Sequence, residues 1–150
     1  MKPRKSNLAR ARPASAGYSG TPLPQKLGLK SGMRVLALDA PANLDTLLAG
    51  APADLVRLER IASFDCALVF TRSERALAAI FAQLAPKMAD TGMIWIGWPK
   101  KTSGVVTDLS EDVVRRAGLA AGLVDVKVCA IDATWSGLRF VVRLRDRPRK

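Results

Sequence analysis

Three strand-length apolar runs constrain this chain most: residues 33–39 (MRVLALD), 64–70 (FDCALVF) and 93–98 (MIWIGW). None alternates as a strand with one wet face would, so each needs cover on both sides, the pattern of a parallel sheet between helices. The segments between them supply that cover. From Ser73 onward, Leu77, Ile80, Phe81 and Leu84 share one helical face, and Pro86 ends the helix. Asp108 with Glu111 three residues on predicts a capped helix running to residue 121, ended by Gly122. Shorter helices are expected at residues 22–27 and 44–49, the first capped by Thr21 and stopped at Gly28. A weaker strand is expected at 54–58, and two closing strands at 126–132 and 138–144 form a hairpin. In the last of these, Phe140, Val142 and Leu144 alternate with Arg139, Val141 and Arg143, giving one apolar and one largely basic face. This order predicts a three-layer α/β fold with a mostly parallel sheet and a C-terminal antiparallel hairpin.

The 150 residues suit one domain, and the charge of +11 is not spread evenly along them. Lys2, Arg4, Lys5, Arg10, Arg12, Lys26 and Lys30 precede any acid, and five basic residues from Arg143 onward face only Asp146. Across residues 31–142 the basic and acidic side chains cancel. Residues 1–16 are expected to be a disordered basic arm, 17–144 a single α/β domain and 145–150 a basic tail. No apolar run is long enough to span a membrane and no signal peptide is legible, so a cytoplasmic location is expected. Cys66 and Cys129 fall in apolar strands and read as buried, reduced thiols. The chain has no histidine, which removes Ser-His-Asp and Cys-His nucleophiles and the common His-containing zinc sites. No metal site is expected.

The segment LGLKSGMRVLALDA at residues 27–40 resembles the first motif of class I S-adenosylmethionine-dependent methyltransferases, where an "LxLKPGxRVL" lead-in feeds strand one. FDCALV at 64–69 is similar to that family's "FDxV" strand, and residues 88–96 lie where its "PGGxLxI" strand does. The resemblance covers residues 27–144, with one α/β unit missing after the second strand, and implies a methyltransferase-like, Rossmann-like layout. In that family the strand ends in an acid followed by G-x-G-x-G. Here the acid falls on Ala37 and the three glycines on Asp39, Pro41 and Asn43. A Cβ at those positions obstructs both the close backbone approach and the left-handed conformations of glycine, and proline also removes an N–H. The expectation is therefore no cofactor, S-adenosylmethionine included.

The domain also resembles a short uncharacterised bacterial family of unknown function, through GYSGTPL at 17–23, KLGLKSG at 26–32, WPKK-SGV-TDL-EDVVR at 98–115, GLVDVKVCAID at 122–132 and TWSGL at 134–138. That resemblance supports the fold and implies no activity.

Candidate ligand or partner residues follow from position. Trp98, Lys100, Lys101 and Ser103 leave the carboxyl end of a central strand, where open α/β sheets bind ligands, and two lysines with a hydroxyl suit a phosphate or carboxylate. A solvated loop shielded by Trp98 is the plainer alternative. Asp39 sits at the mouth of the first strand as a possible base or a solvated carboxylate. Tyr18 either folds over the same edge or packs as an anchor, and Trp135 either meets a partner or caps the sheet. No catalytic residue is assigned. The reading these residues favour is a non-catalytic, methyltransferase-like domain that binds a small anionic ligand or a protein. Two alternatives stand beside it: a divergent S-adenosylmethionine-dependent methyltransferase, and a nucleic-acid-associated accessory protein whose basic tails give weak, non-specific binding.

Overall fold

The computed structural model describes residues 20–143 and Asp146. The expected arm at 1–16, Tyr18, Leu144 and all of the 145–150 tail but Asp146 lie outside the described residues. Six strands form one sheet in the order β2-β1-β3-β4-β6-β5. They are β1 (Arg34–Leu38), β2 (Val56–Leu58), β3 (Phe64–Phe70), β4 (Met88–Pro99), β5 (Leu123–Ala130) and β6 (Trp135–Val142). The first four pair in parallel, and β6 runs antiparallel to both β4 and β5. This is the expected three-layer, methyltransferase-like α/β architecture with its closing hairpin. Among the described residues no helix is long and apolar enough to cross a membrane.

The two sheet faces carry separate cores. Helices α3 (Glu74–Leu84) and α4 (Glu111–Ala120) cover one face, setting Leu77, Phe81 and Val114 against Phe64, Ile94 and Phe140. Phe81 and Phe140 meet edge to face at 5.2 Å, and burying each ring contributes roughly 1.5–3 kcal/mol. Helices α1 (Leu23–Leu27) and α2 (Leu44–Leu47) cover the other face over Val35, Cys66, Leu68 and Trp95. Helix α1 is too short to stand by propensity, so its anchors matter. The Trp95 indole donates to the Leu27 carbonyl at 2.9 Å, and Gly28 ends the helix in the left-handed region at φ 84°. Both cysteines are buried free thiols, as expected.

Four local expectations shift. The closing strands β5 and β6 start at Leu123 and Trp135 rather than at 126 and 138. Pro22, not Thr21, occupies the cap position of α1. Strand β4 begins at Met88 rather than at 93, because its pairing with β3 jumps from Phe64–Met88 to Cys66–Met93 over an irregular stretch. Gly92 permits that jump, since a Cβ there would lie 2.9 Å from the Asp65 carbonyl oxygen. Finally, Ser110 caps α4, its hydroxyl accepting the Val113 N–H at 3.3 Å, while Asp108 serves a different helix.

Candidate functional site at the strand ends

From β1 the chain crosses to β2 on one side, while β3 lies on the other. The connections leaving the carboxyl ends of β1 and β3 therefore run to opposite sides of the sheet, and such a switch point opens a crevice in α/β sheets. Asp39 stands at the end of β1 with φ 53°, the only non-glycine described residue with positive φ. Aspartate tolerates this left-handed region better than most L-residues because its short side chain bonds locally. The first glycine of the usual turn is thus replaced by a residue that still makes the turn. Pro41 follows, its carbonyl accepting the Leu44 N–H at 3.1 Å as α2 begins.

The opposite wall comes from β3 and from the loop after β4. The Thr71 N–H donates to the Gly97 carbonyl at 3.0 Å, and the Thr71 hydroxyl accepts the Ser73 N–H at 3.3 Å. The Thr107 hydroxyl donates to the Arg72 carbonyl at 2.6 Å and accepts the Leu109 N–H at 3.1 Å. Asp108 accepts the Glu74 N–H at 2.8 Å, so it caps α3 from the neighbouring loop. Between these walls lies a cleft of about 860 Å³ lined by Asp39, Thr71, Arg72, Ser73, Val105 and Trp135. Trp135 packs edge-on to Phe70 at 5.2 Å, and Asp132 holds its backbone, accepting the Trp135 N–H at 2.8 Å.

The floor of the cleft is solid. The apolar layer beneath, from Leu27 and Leu44 to Trp95 and Ile131, keeps only about 10 Å³ free. Gly97 and Gly137, paired across β4 and β6, allow this closure: a Cβ on Gly137 would lie 2.9 Å from Ile131. The cleft is open to solvent above and filled with side chains below.

Of the residues singled out in the sequence, the structure brings Asp39 and Trp135 to this cleft. Trp98 is buried against α3 and α4 at 6% exposure. The Ser103 hydroxyl is spent within its own turn, donating to the Lys100 carbonyl at 2.6 Å and accepting the Val105 N–H at 3.1 Å. Lys101 is exposed at the start of that turn, and the Lys100 amine is buried on the α1 face. Thr71 and Arg72 carry no signal in the sequence and Ser73 marks only the start of a helix there, although all three directly follow the strand read most clearly. The carboxyl-end rule, applied to β3 as it was to β4, would have found them. Val105 has no sequence signal.

No known sequence family matches the chain, and no curated protein matches it. Solved structures do. The ribosomal protein L11 methylase of Lactobacillus delbrueckii subsp. bulgaricus is 11% identical with a TM-score of 0.50, over 79% of this chain and 74% of that one. An O-methyltransferase family 2 protein from Planctomyces limnophilus, solved with apigenin, is 12% identical with a TM-score of 0.57, over 74% of this chain and 50% of the other. Magnesium protoporphyrin IX methyltransferase from Synechocystis, solved with bound SAH, is 10% identical with a TM-score of 0.50, over 75% of each chain. These likenesses establish the fold. They also correct the expectation of no cofactor, since the last protein carries SAH on this same fold. The substitutions at Asp39, Pro41 and Asn43 do not close the strand ends here: Asp39 takes the left-handed conformation itself, and an open cleft remains beside it.

Proposed function

We propose that the chain is a divergent S-adenosylmethionine-dependent methyltransferase whose cofactor lies in the cleft beside Asp39. The carrying observation is that Asp39 turns at φ 53° into an open cleft of about 860 Å³ at the switch point of the sheet. That volume is of the size that small-molecule sites have. S-adenosylmethionine supplies an electrophilic methyl group on a sulfonium. The cleft offers charges of both signs for such a zwitterion. Arg72 would hold the carboxylate, and the Asp39 carboxylate would face the ammonium and sulfonium cations. Glu59, exposed and directly after β2, stands where the acid after the second strand reaches ribose hydroxyls in dinucleotide-binding folds. Val106, 89% exposed in the loop that lines the cleft, offers apolar surface to an acceptor molecule. This reading displaces that of a non-catalytic domain, which rested on the lost glycines.

The test is calorimetric titration of the full chain with S-adenosylmethionine and with SAH. A saturable isotherm with a Kd of order micromolar is expected. Asp39→Gly should bind at least tenfold more weakly, yet melt at or above the wild-type temperature, since glycine takes positive φ without strain. No heat of binding up to millimolar ligand overturns the reading. Unchanged affinity in Asp39→Gly removes the carboxylate from the site.

A further inference from the structure

The neutrality of residues 31–142 conceals a local imbalance. Lys127 on β5 stands directly opposite Arg139 on β6, and Arg139 stands opposite Trp95 on β4. Directly opposed residues share a sheet face, and Trp95 belongs to the core under α1. Both cations therefore lie on the α1 face, where opposed like charges are destabilising unless something offsets them. The ion pairs of the described residues do not: their carboxylates, Asp45, Asp65, Glu111, Asp112 and Asp125, go to Arg34, Arg57 and Arg115. Asp125, the acid of β5, is opposite Phe140 on the other face. Arg139 Nε is buried without a hydrogen-bond partner, and its guanidinium lies against the end of α1, where a Cβ on Gly28 would meet Nη1 at 3.2 Å.

Lys127 also lines a second cleft of about 510 Å³ between α1 and β5, together with Thr21, Gln25, Lys26, Cys129 and Ser136. Two amines, two hydroxyls and an amide thus line it, and among the described residues no carboxylate does. The Lys127 amine is already placed: it donates to the Lys26 carbonyl at 3.0 Å and keeps two hydrogens for another acceptor. Burial pushes the Cys129 thiol pKa up, and the charges of Lys26 and Lys127 oppose that rise, so both amines act at the same wall. The lining fits a phosphate better than a carboxylate. A planar carboxylate is met best by a guanidinium fork, and no guanidinium lines this cleft, whereas amines are point charges that suit a tetrahedral group. A phosphate monoester carries a charge of about −1.5 to −2 near pH 7 and three acceptor oxygens, which matches two lysines and the neutral donors. The cleft has the size of a small-molecule site.

We infer that the cleft between α1 and β5 binds the phosphate group of a small molecule, free phosphate or a phosphate monoester. Lys26 and Lys127 are its cationic contacts, and Thr21, Gln25 and Ser136 its neutral donors. The bound anion offsets the repulsion between Lys127 and Arg139. This cleft shares no lining residue with the one beside Asp39. Neither S-adenosylmethionine nor SAH contains a phosphate, so the inference holds whether or not the other cleft binds a cofactor.

The test is a titration of the full chain, without cofactor, followed by NMR amide shifts, with inorganic phosphate, ribose 5-phosphate, ribose and succinate as ligands. Saturable binding of phosphate with a Kd of order 0.1–1 mM is expected, and none of ribose. The shifts should centre on Gln25, Lys26, Lys127 and Ser136. Tighter binding of ribose 5-phosphate assigns the ligand as a monoester and equal binding assigns it as free phosphate; either result supports the site. Lys26→Gln/Lys127→Gln should bind at least tenfold more weakly, because two charge-assisted contacts are lost. Lys127→Gln alone should lose less, and without ligand it should melt at or above the wild-type temperature, since one of two opposed cations is gone. The control is Arg75→Gln/Lys87→Gln, which removes two exposed cations in and just after α3 and should bind as the wild type does. An unchanged affinity in the double cleft variant overturns the inference, as does an equal loss in the control. Shifts centred on Asp39 and residues 71–73 overturn it by placing the anion in the other cleft. Succinate binding as tight as phosphate overturns it in favour of a carboxylate. A single-stranded RNA that binds through Lys26 and Lys127 while ribose 5-phosphate does not overturns it in favour of a polyanion.

Discussion

Asp108 Oδ1 accepts the backbone N–H of Glu74 at 2.8 Å, joining the loop after β4 to the first turn of α3. The Ser73 side chain makes no capping bond, so α3 takes its cap from a residue 34 positions away. With the bond from the Thr107 hydroxyl to the Arg72 carbonyl, this contact ties together the two segments that wall the cleft beside Asp39. Asp108→Ala should destabilise the chain by about 1 kcal/mol, the usual cost of a lost cap. Urea unfolding measures it, and a loss no larger than at an ordinary surface site would show that the cap is dispensable.

Trp95 holds α1 on the sheet through its indole N–H. Trp95→Phe keeps most of the apolar ring but leaves the Leu27 carbonyl buried and unpaired. The expected cost is about 1–3 kcal/mol. Amide exchange should quicken in residues 23–29 more than in β3, because α1 is too short to persist once released.

Gly118 lies in α4 against the Phe140 ring, and a Cβ there would fall 2.0 Å from a ring carbon. Alanine is the better helix former by roughly 1 kcal/mol. The collision outweighs that gain, because Phe140 is fully buried and edge-packed on Phe81. Gly118→Ala should lower stability by about 1–3 kcal/mol in denaturant unfolding. A stabilised variant would mean that α4 stands further from the sheet than described.

Arg34 clasps Asp65 with its backbone N–H at 2.8 Å and with Nε and Nη2 at 3.1 Å each. These hydrogen bonds from Arg34 hold the Asp65 carboxyl below its ordinary range, against a smaller opposing effect of burial. A depressed folded-state pKa stabilises the fold at pH values above the unfolded pKa, and the benefit fades as pH falls toward the folded value. Asp65→Asn should therefore be less stable than wild type near pH 7, with the gap closing below about pH 4. Urea midpoints across that range test the sign. A gap that is constant with pH would assign the loss to packing instead of charge.

The apolar runs at β1, β3 and β4 made the parallel sheet legible in the sequence, because strands covered on both faces leave no polar alternation. The spacing of Leu77, Ile80, Phe81 and Leu84 did the same for α3, whose buried face is Leu77, Phe81 and Leu84 with Ile80 partly covered. Asp39 was legible as a residue at the mouth of the sheet. Its backbone conformation was not, since a left-handed aspartate and an extended one are written with the same letter. That conformation, set by the turn between β1 and α2, decides whether the lost glycines close the site. Asp108 shows the same limit at longer range. Its spacing to Glu111 promised a cap for α4, but tertiary packing carried the carboxylate to the N–H of Glu74, leaving Ser110 to cap α4. Likewise, composition settled that residues 31–142 are neutral, but only the pairing of β5 with β6 put Lys127 opposite Arg139 and Asp125 on the other face. Local periodicity encodes which face of an element is apolar. Which charged or turning side chains meet depends on register between segments distant in sequence, and that is decided only when the sheet assembles.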